Sequence, residues 1–446
     1  MRKLLAIWAA RLATMAGKLM GKQSSSTPGM VALKIYPNLI RELSKGLRRG
    51  IIVVCGTNGK TTTNNLLHTA LQKSGYRTVC NSTGANMIGG VATAFADACS
   101  LTGKLDADWA VLEIDEASAR RVFVHLKPDY MVITNLFRDQ LDRYGEIETT
   151  MALLQEAIDM AEGVKLILNG DDPLTAQFGE GRDAVYFGIS EQVLPQEETK
   201  EGRLCVKCGK EQNYHYLHYS QLGDYYCPHC GNKRPPIDFE AKSIDLSESM
   251  KFSVNGNPID VNYRGFYNIY NILAVYAALQ TGGVPTENLT RVLEEYKPQT
   301  GRMEQIDLGK PFILNLAKNP AGFNQAIQTV MLDKRKKDII VAVNDLVNDG
   351  QDVSWIWDVD FEKLKDETLN TLSVGGLRLY DLALRFKYAD IPVDMVTQNL
   401  RDALEMCQKT NAEVCYVLAN YTAVYPAKAT MLELQKELKK EGLNHE

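Results

Sequence analysis

Short apolar runs alternate with stretches of helical periodicity through most of this chain. The uninterrupted run Ile51–Cys55 reads as a strand buried on both faces. Further strand-like runs recur at Thr78–Asn81, Trp109–Ile114, Tyr130–Thr134, Leu166–Asn169 and Ala184–Phe187, with helical patterns between several of them. Such alternation predicts a mostly parallel sheet covered by helices. From Arg203 to Pro235 the pattern breaks into a cysteine-rich insertion, β-like segments follow up to Arg264, and a helix at Tyr267–Leu279 closes this region. A second series has strands at Phe312–Leu316, Asp338–Val343, Thr371–Val374 and Val414–Leu418. Its helices fall at Ala321–Leu332, Leu377–Phe386, Gln398–Lys409 and Thr430–Lys440. The expected fold class is α/β: a helical segment over 1–45, a central domain over 46–300 with an insertion at 203–235, and a C-terminal domain over 301–446.

The first stretch, Met1 to Lys22, has amphipathic helical spacing, with Leu4, Leu5, Ile7, Trp8, Leu12, Met15, Leu19 and Met20 set among Arg2, Lys3, Arg11, Lys18 and Lys22. Arg11 and Lys18 interrupt the apolar run, which is too short to span a bilayer and is no signal peptide. Two readings stand: a helix packed on the body of the protein, or one lying on an anionic membrane surface. A linker comes next, over Gln23–Gly29.

Composition narrows the function classes. With 446 residues, 45% hydrophobic and 24% charged, the chain can bury more than one core. A net charge of −5 argues against nucleic acid as a partner. Five of the nine cysteines, Cys55, Cys80, Cys99, Cys407 and Cys415, stand singly in apolar surroundings, which suits a reducing cytoplasm.

The chemistry concentrates behind the first buried strand. Gly56-Thr57-Asn58-Gly59-Lys60-Thr61-Thr62 leads straight into a helical pattern over Thr63–Ser74. Glycines let the backbone approach an anion, loop amides and a helix N-terminus present aligned dipoles, and Lys60 adds a point charge. The Thr61 and Thr62 hydroxyls can reach magnesium. The expected ligand is ATP. In Val111–Glu116, acids close a buried strand, and Glu113 is the best magnesium candidate beside Thr61.

The insertion carries a second metal signal. Cys205-Val206-Lys207-Cys208-Gly209 and Cys227-Pro228-His229-Cys230-Gly231 form two knuckles. Four thiolates at this spacing close a tetrahedron around zinc with no vacant position, so the ion is expected to be structural. His215, His218 and His229 lie close by, but the cysteines suffice.

The phosphate loop resembles that of the Mur ligases and folylpolyglutamate synthases, which phosphorylate a carboxylate and let an amine attack the acyl phosphate. Thr134-Asn135-Leu136-Phe137-Arg138-Asp139-Gln140-Leu141-Asp142 is similar to a Mur ligase segment in which a metal-binding histidine stands where this chain has Gln140. Asn169-Gly170-Asp171-Asp172, Gly265–Asn271, Gly301-Arg302 and Asn315–Pro320 resemble further family elements in the same order. These imply a Mur ligase-like central domain and a Rossmann-like C-terminal α/β domain. They also imply nucleotide contacts by Asn268, Asn271 and Arg302. The phosphate loop begins about fifty residues in, which leaves no room for the domain of roughly a hundred residues that recognises UDP-linked precursors.

Together with the cysteine insertion and Asp349-Gly350-Gln351-Asp352-Val353-Ser354-Trp355, these features resemble the MurT family, the ligase subunits of lipid II isoglutaminyl synthase. That resemblance implies a catalytic centre with Lys60 and Glu113. It implies ATP-dependent amidation of the D-isoglutamate α-carboxylate in lipid II, at the cytoplasmic side of the plasma membrane. A GatD-type glutaminase would supply ammonia, and Asp352 would complete that partner's Cys–His pair across the interface. Asp352 and Ser354 are also good capping residues, so a purely local role for Asp352 is the alternative, with Asp349 and Asp358 in reserve. Rival functions are an amino-acid-adding or folylpolyglutamate synthase-like ligase and a non-catalytic ATP-binding zinc scaffold.

Overall fold

A computed structural model describes residues 1–19, 25–81, 84–139, 147–193, 202–247, 249–261, 265–287, 289–295 and 300–443. Gln23 and Ser24 of the expected linker, Gln140–Asp142 and Arg264 lie outside these residues. Residues 1–137, 147–262 and 267–296 form one compact unit; 297–446, with 138–146 and 263–266, form another.

The strands of the first unit are β1 (Leu47–Cys55), β2 (Thr78–Cys80), β3 (Ala107–Glu113), β4 (Tyr130–Ile133), β5 (Lys165–Asn169), β6 (Ala184–Ile189), β7 (Asn213–Tyr219), β8 (Leu222–Tyr226), β9 (Phe239–Asp245), β10 (Met250–Val254) and β11 (Asn257–Val261). Among the described residues, nine of them make one sheet in the order β11-β10-β9-β6-β5-β4-β1-β3-β2, while β7 and β8 form a separate hairpin. From β2 to β9 every pairing is parallel; β10 runs antiparallel to both β9 and β11. The residues of β1 from Ile51 onward are all buried, because helices cover both faces. In register, Val54 stands opposite Glu113 and Cys55 opposite Ile133. The carboxyl ends of β1, β3 and β4 therefore stop level, and the three loops that leave them gather at one place.

The N-terminal segment belongs to this unit. The helix Arg2–Leu19 buries Ala6, Ile7, Ala10 and Gly17, and the first three join the core that includes Val91 and Phe95. The helix Thr27–Ile35 crosses the helix Ile88–Ala98 at Gly29, where a Cβ would stand 1.9 Å from the Gly89 carbonyl oxygen. Only glycine permits that approach, and it lets the Gly29 amide donate to Thr93 Oγ1 at 2.8 Å. The expected linker is shorter than its composition suggests, since Thr27 and Pro28 already start a helix.

The second unit holds β12 (Glu304–Asp307), β13 (Pro311–Leu316), β14 (Lys337–Ala342), β15 (Leu369–Gly375), β16 (Met395–Val396) and β17 (Val414–Ala419). Their order is β12-β13-β17-β14-β15-β16, all parallel except the edge pair β12–β13. Alternate residues face two separate cores: Ile339, Val341, Tyr416 and Leu418 one way, Ile340, Ala342, Cys415 and Val417 the other. That period of two within continuous apolar runs is the mark of a doubly covered sheet. The last helix spans Tyr421–Leu443, well beyond the expected Thr430–Lys440. Pro426 reads as a stop, yet it sits near the start of the helix and costs the bond its amide would have made.

Candidate functional site

The phosphate loop leaves the carboxyl end of β1, and the helix behind it begins at Lys60, earlier than the pattern from Thr63 suggested. Gly59 takes a left-handed conformation (φ 86°) ahead of that helix, and a Cβ there would lie 2.1 Å from Asn271 Oδ1. Gly56 (φ 118°) is likewise closed in, with Thr134 Oγ1 2.2 Å from a would-be Cβ. The loop is held from the β4 side. The Asn58 amide donates to Asn135 Oδ1 at 2.9 Å, its carbonyl accepts from Thr134 Oγ1 at 2.8 Å, and Phe137 N–H donates to Thr57 Oγ1 at 2.9 Å. Thus Thr134 and Asn135 serve as walls of the loop.

Lys60 is buried, with Nζ 3.0 Å from Glu116 Oε1 and donating to the Gly56 and Thr57 carbonyls. Burial alone would lower its pKa, but Glu116, then Asp115 and Glu113, outweigh it and raise the value, so the ammonium stays charged. On Glu116 burial dominates and raises the pKa against the pull of Lys60. The same carboxylate accepts the Gly56 amide at 2.8 Å. Glu116 is therefore the counterion of Lys60 and a second anchor for the loop. The sequence displayed it in an acid run but gave no sign that it, rather than Glu113, meets Lys60.

Glu113 does something else. Its backbone is fixed by Asn81 on both sides, with Glu113 N donating to Asn81 Oδ1 at 2.9 Å and Asn81 Nδ2 donating to the Glu113 carbonyl at 2.7 Å. Asn86 Nδ2 donates to Oε1 at 3.3 Å. Oε2 is buried and has no hydrogen-bond partner among the described residues. A buried carboxylate oxygen without a donor is costly unless a cation completes it. One point beside Gly84 lies 3.8 Å from Thr61 Oγ1 and 4.0 Å from this oxygen. A hydroxyl and a carboxylate are hard oxygen donors of the kind that magnesium takes, so the chemistry of these two residues fits the ion.

Asn268 and Asn271 lie on the helix Tyr267–Thr281, bonded to each other at 3.1 Å, with Asn271 against Gly59 and 3.5 Å from Thr63 Oγ1. Both are thus brought to the phosphate loop. Arg302 belongs to the second unit, after Gly301 in a left-handed conformation (φ 72°). Lys318 Nζ lies 2.5 Å from Asp139 in that same unit.

The cysteine insertion builds two near-identical knuckles. Gly209 N–H donates to the Cys205 carbonyl at 2.9 Å and Gly231 N–H to that of Cys227 at 3.0 Å, both glycines being left-handed. The four sulfurs of Cys205, Cys208, Cys227 and Cys230 lie within 4.8 Å of one another, with Cys205–Cys230 and Cys208–Cys227 at 3.6 Å. A tetrahedron with zinc–sulfur bonds of about 2.3 Å has edges of about 3.8 Å, so the four thiols fit zinc. Among the described residues no histidine belongs to the cluster; His215 instead stacks on Tyr226, its ring centre 4.6 Å away.

The insertion is keyed to the sheet by buried polar groups that sequence reading missed. Arg234 lies 2.6 Å from Asp171, which also accepts from Tyr270 at 2.7 Å and from the Ile189 amide at 2.8 Å. Gln221 Nε2 donates to the Leu136 carbonyl at 2.6 Å and reaches Asp172 at 3.3 Å. Burial pushes the Asp172 pKa up to about 6, against four hydrogen bonds that lower it.

In the second unit, Asp352 is exposed. Its Oδ1 accepts the Ser354 amide at 2.8 Å at the head of the short helix Ser354–Asp358, and that bond, before any other cause, lowers its pKa. Asp352 thus closes the turn ahead of the helix, whose N-cap is Val353 with no side-chain cap bond, and the carboxylate stays open to solvent. Asp349 is buried and accepts from the Thr422 amide at 2.8 Å and from the Thr422 hydroxyl. Asp358 is exposed, 3.9 Å from Arg138.

A phosphate loop on a parallel sheet, an acid-ended neighbouring strand and a following α/β unit define a Mur ligase-type protein, and residues 54–279 match the Mur ligase middle domain. The fold agrees with solved structures. A pseudomurein peptide ligase type C from Methanothermus fervidus superposes with a TM-score of 0.68 at 25% identity, covering 87% of this chain and 79% of that one. MurF from Acinetobacter baumannii gives 0.66 at 18%, covering 91% and 80%. Residues 316–424 match the MurT ligase C-terminal domain. The subunit MurT of lipid II isoglutaminyl synthase (glutamine-hydrolyzing) from Staphylococcus aureus strain COL is 36% identical over 96% of this chain and 97% of its own length. The Streptococcus pneumoniae protein of the same name is 36% identical over 93% and 96%. The chain belongs to the MurT family.

Proposed function

We propose that this chain is the ATP-dependent ligase subunit of a lipid II isoglutaminyl synthase, converting the D-isoglutamate α-carboxylate of the lipid-linked stem peptide to the amide. The observation that carries the reading is the 36% identity to MurT of Staphylococcus aureus across nearly the whole of both chains.

The residues supply the chemistry in order. Lys60 leaves Glu116 for the terminal phosphates, while amides of Gly56–Thr62 and the N-terminus of the following helix cradle them. Asn268, Asn271 and Arg302 are assigned to the nucleotide. Magnesium held by Thr61 and Glu113 supplies further neutralisation of charge on the phosphates. The substrate carboxylate attacks the γ-phosphorus in line and the bond to ADP breaks, giving an acyl phosphate. Ammonia then attacks the acyl carbon, the carbon–oxygen bond to phosphate breaks, and the nitrogen sheds its extra proton. Zinc in the four-cysteine site is structural.

Ammonia comes from a GatD-type glutaminase subunit. Cys55 does not generate it, because burial above all, then Glu116, raises its thiol pKa well above the usual value. Asp352 is assigned to the partner's histidine, orienting it and stabilising its cation, as the third member of a triad does. Work on a lipid-linked substrate places the complex at the inner face of the plasma membrane. Among the described residues no helix is long and apolar enough to cross it.

The test is isotopic. Oxygen-18 in the substrate carboxylate should appear in released inorganic phosphate during turnover with ammonium; retention of all label in the amide, or turnover driven only by an amino acid, defeats the reading. Asp352→Asn should lower glutamine-driven turnover of the complex by on the order of 10⁴-fold and leave ammonium-driven turnover intact.

A further inference from the structure

One side of the helix Arg2–Leu19 is occupied by the core of the first unit. The other side is apolar and bare. Met1, Leu5, Trp8, Leu12, Met15 and Leu19 recur at alternating steps of four and three residues, which lines them up along one stripe. That stripe lies opposite Ala6, Ile7, Ala10 and Gly17, the buried set. Leu12 is 66% exposed, Met15 60% and Leu19 85%, values belonging to side chains in open solvent. Trp8 is held in place by its indole N–H, which donates to the Leu101 carbonyl at 3.0 Å, and the Leu101 side chain is itself exposed. Residues that could have been polar without disturbing the core are instead large and apolar, and such a patch calls for a partner.

Charge says which partner. No aspartate or glutamate precedes Glu42, while Arg2, Lys3, Arg11, Lys18, Lys22 and Lys34 all do, in a chain whose net charge is −5. On the helix, Arg2 flanks the stripe on one side and Arg11 and Lys18 on the other. Arg11 leans back onto the Asp97 and Cys99 carbonyls, and the charges of Arg11 and Lys18 are felt at the Asp97 carboxyl. A second copy of the helix laid on this stripe would set cations against cations, with no carboxylate of its own to pair them. A surface that is apolar below and negative above meets both demands.

We propose that the outer face of the first helix docks this protein on an anionic phospholipid bilayer, lying in the interface with Leu5, Trp8, Leu12, Met15 and Leu19 turned into the acyl region and the flanking cations at the headgroups. The inference deepens the proposed function and rests on it for its purpose, since a soluble ligase acting on a lipid-linked peptide gains from being held where that substrate lies. Its physical content can be measured separately.

The experiment is co-sedimentation of the full chain with vesicles. Phosphatidylglycerol-containing vesicles should retain the protein at low salt, pure phosphatidylcholine vesicles at least tenfold less well, and rising salt should weaken retention. Leu12→Glu with Met15→Glu should abolish it, and brominated lipid should quench a fluorescence component that Trp8→Phe removes. Should the double variant fold poorly, Leu12→Ser with Met15→Ser serves in its place. Either variant should keep its thermal midpoint and its turnover on a lipid-free stem peptide with ammonium. Absence of retention on anionic vesicles, or equal retention of the variants, overturns the proposal. So does a concentration-dependent dimer that the same variants dissolve, which would assign the face to a second copy. Loss of turnover on the lipid-free peptide with wild type would instead count against the ligase reading and leave the vesicle result standing.

Discussion

The phosphate loop and the cysteine insertion both concentrate ionisable groups, yet one is complete and the other is not. In the insertion, four sulfurs from two short knuckles satisfy a tetrahedron by themselves, and the arrangement repeats within a few residues on either side of a hairpin. At the phosphate loop, the groups come from β1, β3 and β4 and from a helix over two hundred residues away. There Lys60 is lent to Glu116, and one oxygen of Glu113 has no donor among the described residues. The difference is between a site whose ligands come from one short segment and a site assembled from distant parts of the chain.

The contrast breaks most forcefully at the insertion. Cys205→Ser with Cys227→Ser should reduce zinc from one ion per chain to none by elemental analysis, since structural zinc in small ribbons contributes on the order of 10 kcal/mol. Proteolysis should then open the segment between Gly202 and Pro235; a zinc-free chain as resistant as wild type would show that the ribbon stands without its ion. Lys60→Ala addresses the other pole. It should lower ATP-dependent turnover by on the order of 10²–10³-fold and leave zinc content unchanged. Glu113→Gln sharpens the idea of an unfinished donor set: half-saturating magnesium should rise by on the order of 10–100-fold, without change in the metal bound by the cysteines.

The smallest effect concerns the joint between the two regions. The Asp172 pKa is raised from 3.8 to about 6, so between these values the folded chain binds more protons than the unfolded one. Its contribution to stability therefore falls as pH rises through that window. Asp172→Asn should flatten the pH dependence of the denaturation midpoint between about pH 4 and 6, measured against wild type; an unchanged slope would mean that the carboxyl is not held in the environment described.

Much of this was legible because the chemistry is contiguous. The phosphate loop needs glycine, lysine and threonine side by side, and a zinc knuckle needs two cysteines in one turn. What escaped reading joins distant parts of the chain. Arg234 meets Asp171 across 63 positions and Gln221 reaches Leu136 across 85, with no local pattern to announce either. Glu116 and Glu113 sit three residues apart on the same acid run, and only the twist of the backbone after β3 decides which meets the lysine. The antiparallel edge strand β12 and the first turns of the C-terminal helix were missed for a simpler reason: edge strands carry weaker apolar patterns, and Pro426 masks a helix that begins before it.

The carboxylate resting on Lys60 sets terms for whatever enters next. A free sulfate or inorganic phosphate can touch the ammonium only by turning an internal counterion loose, and it brings a single cluster of oxygens in exchange. In the proposed function, a nucleotide tail is assigned to the lysine, the loop amides and the neighbouring asparagines together, so it would recover several contacts for the one it breaks. On the proposed reading, the Lys60–Glu116 pair thus favours a polyphosphate that makes several contacts over a small anion that makes one.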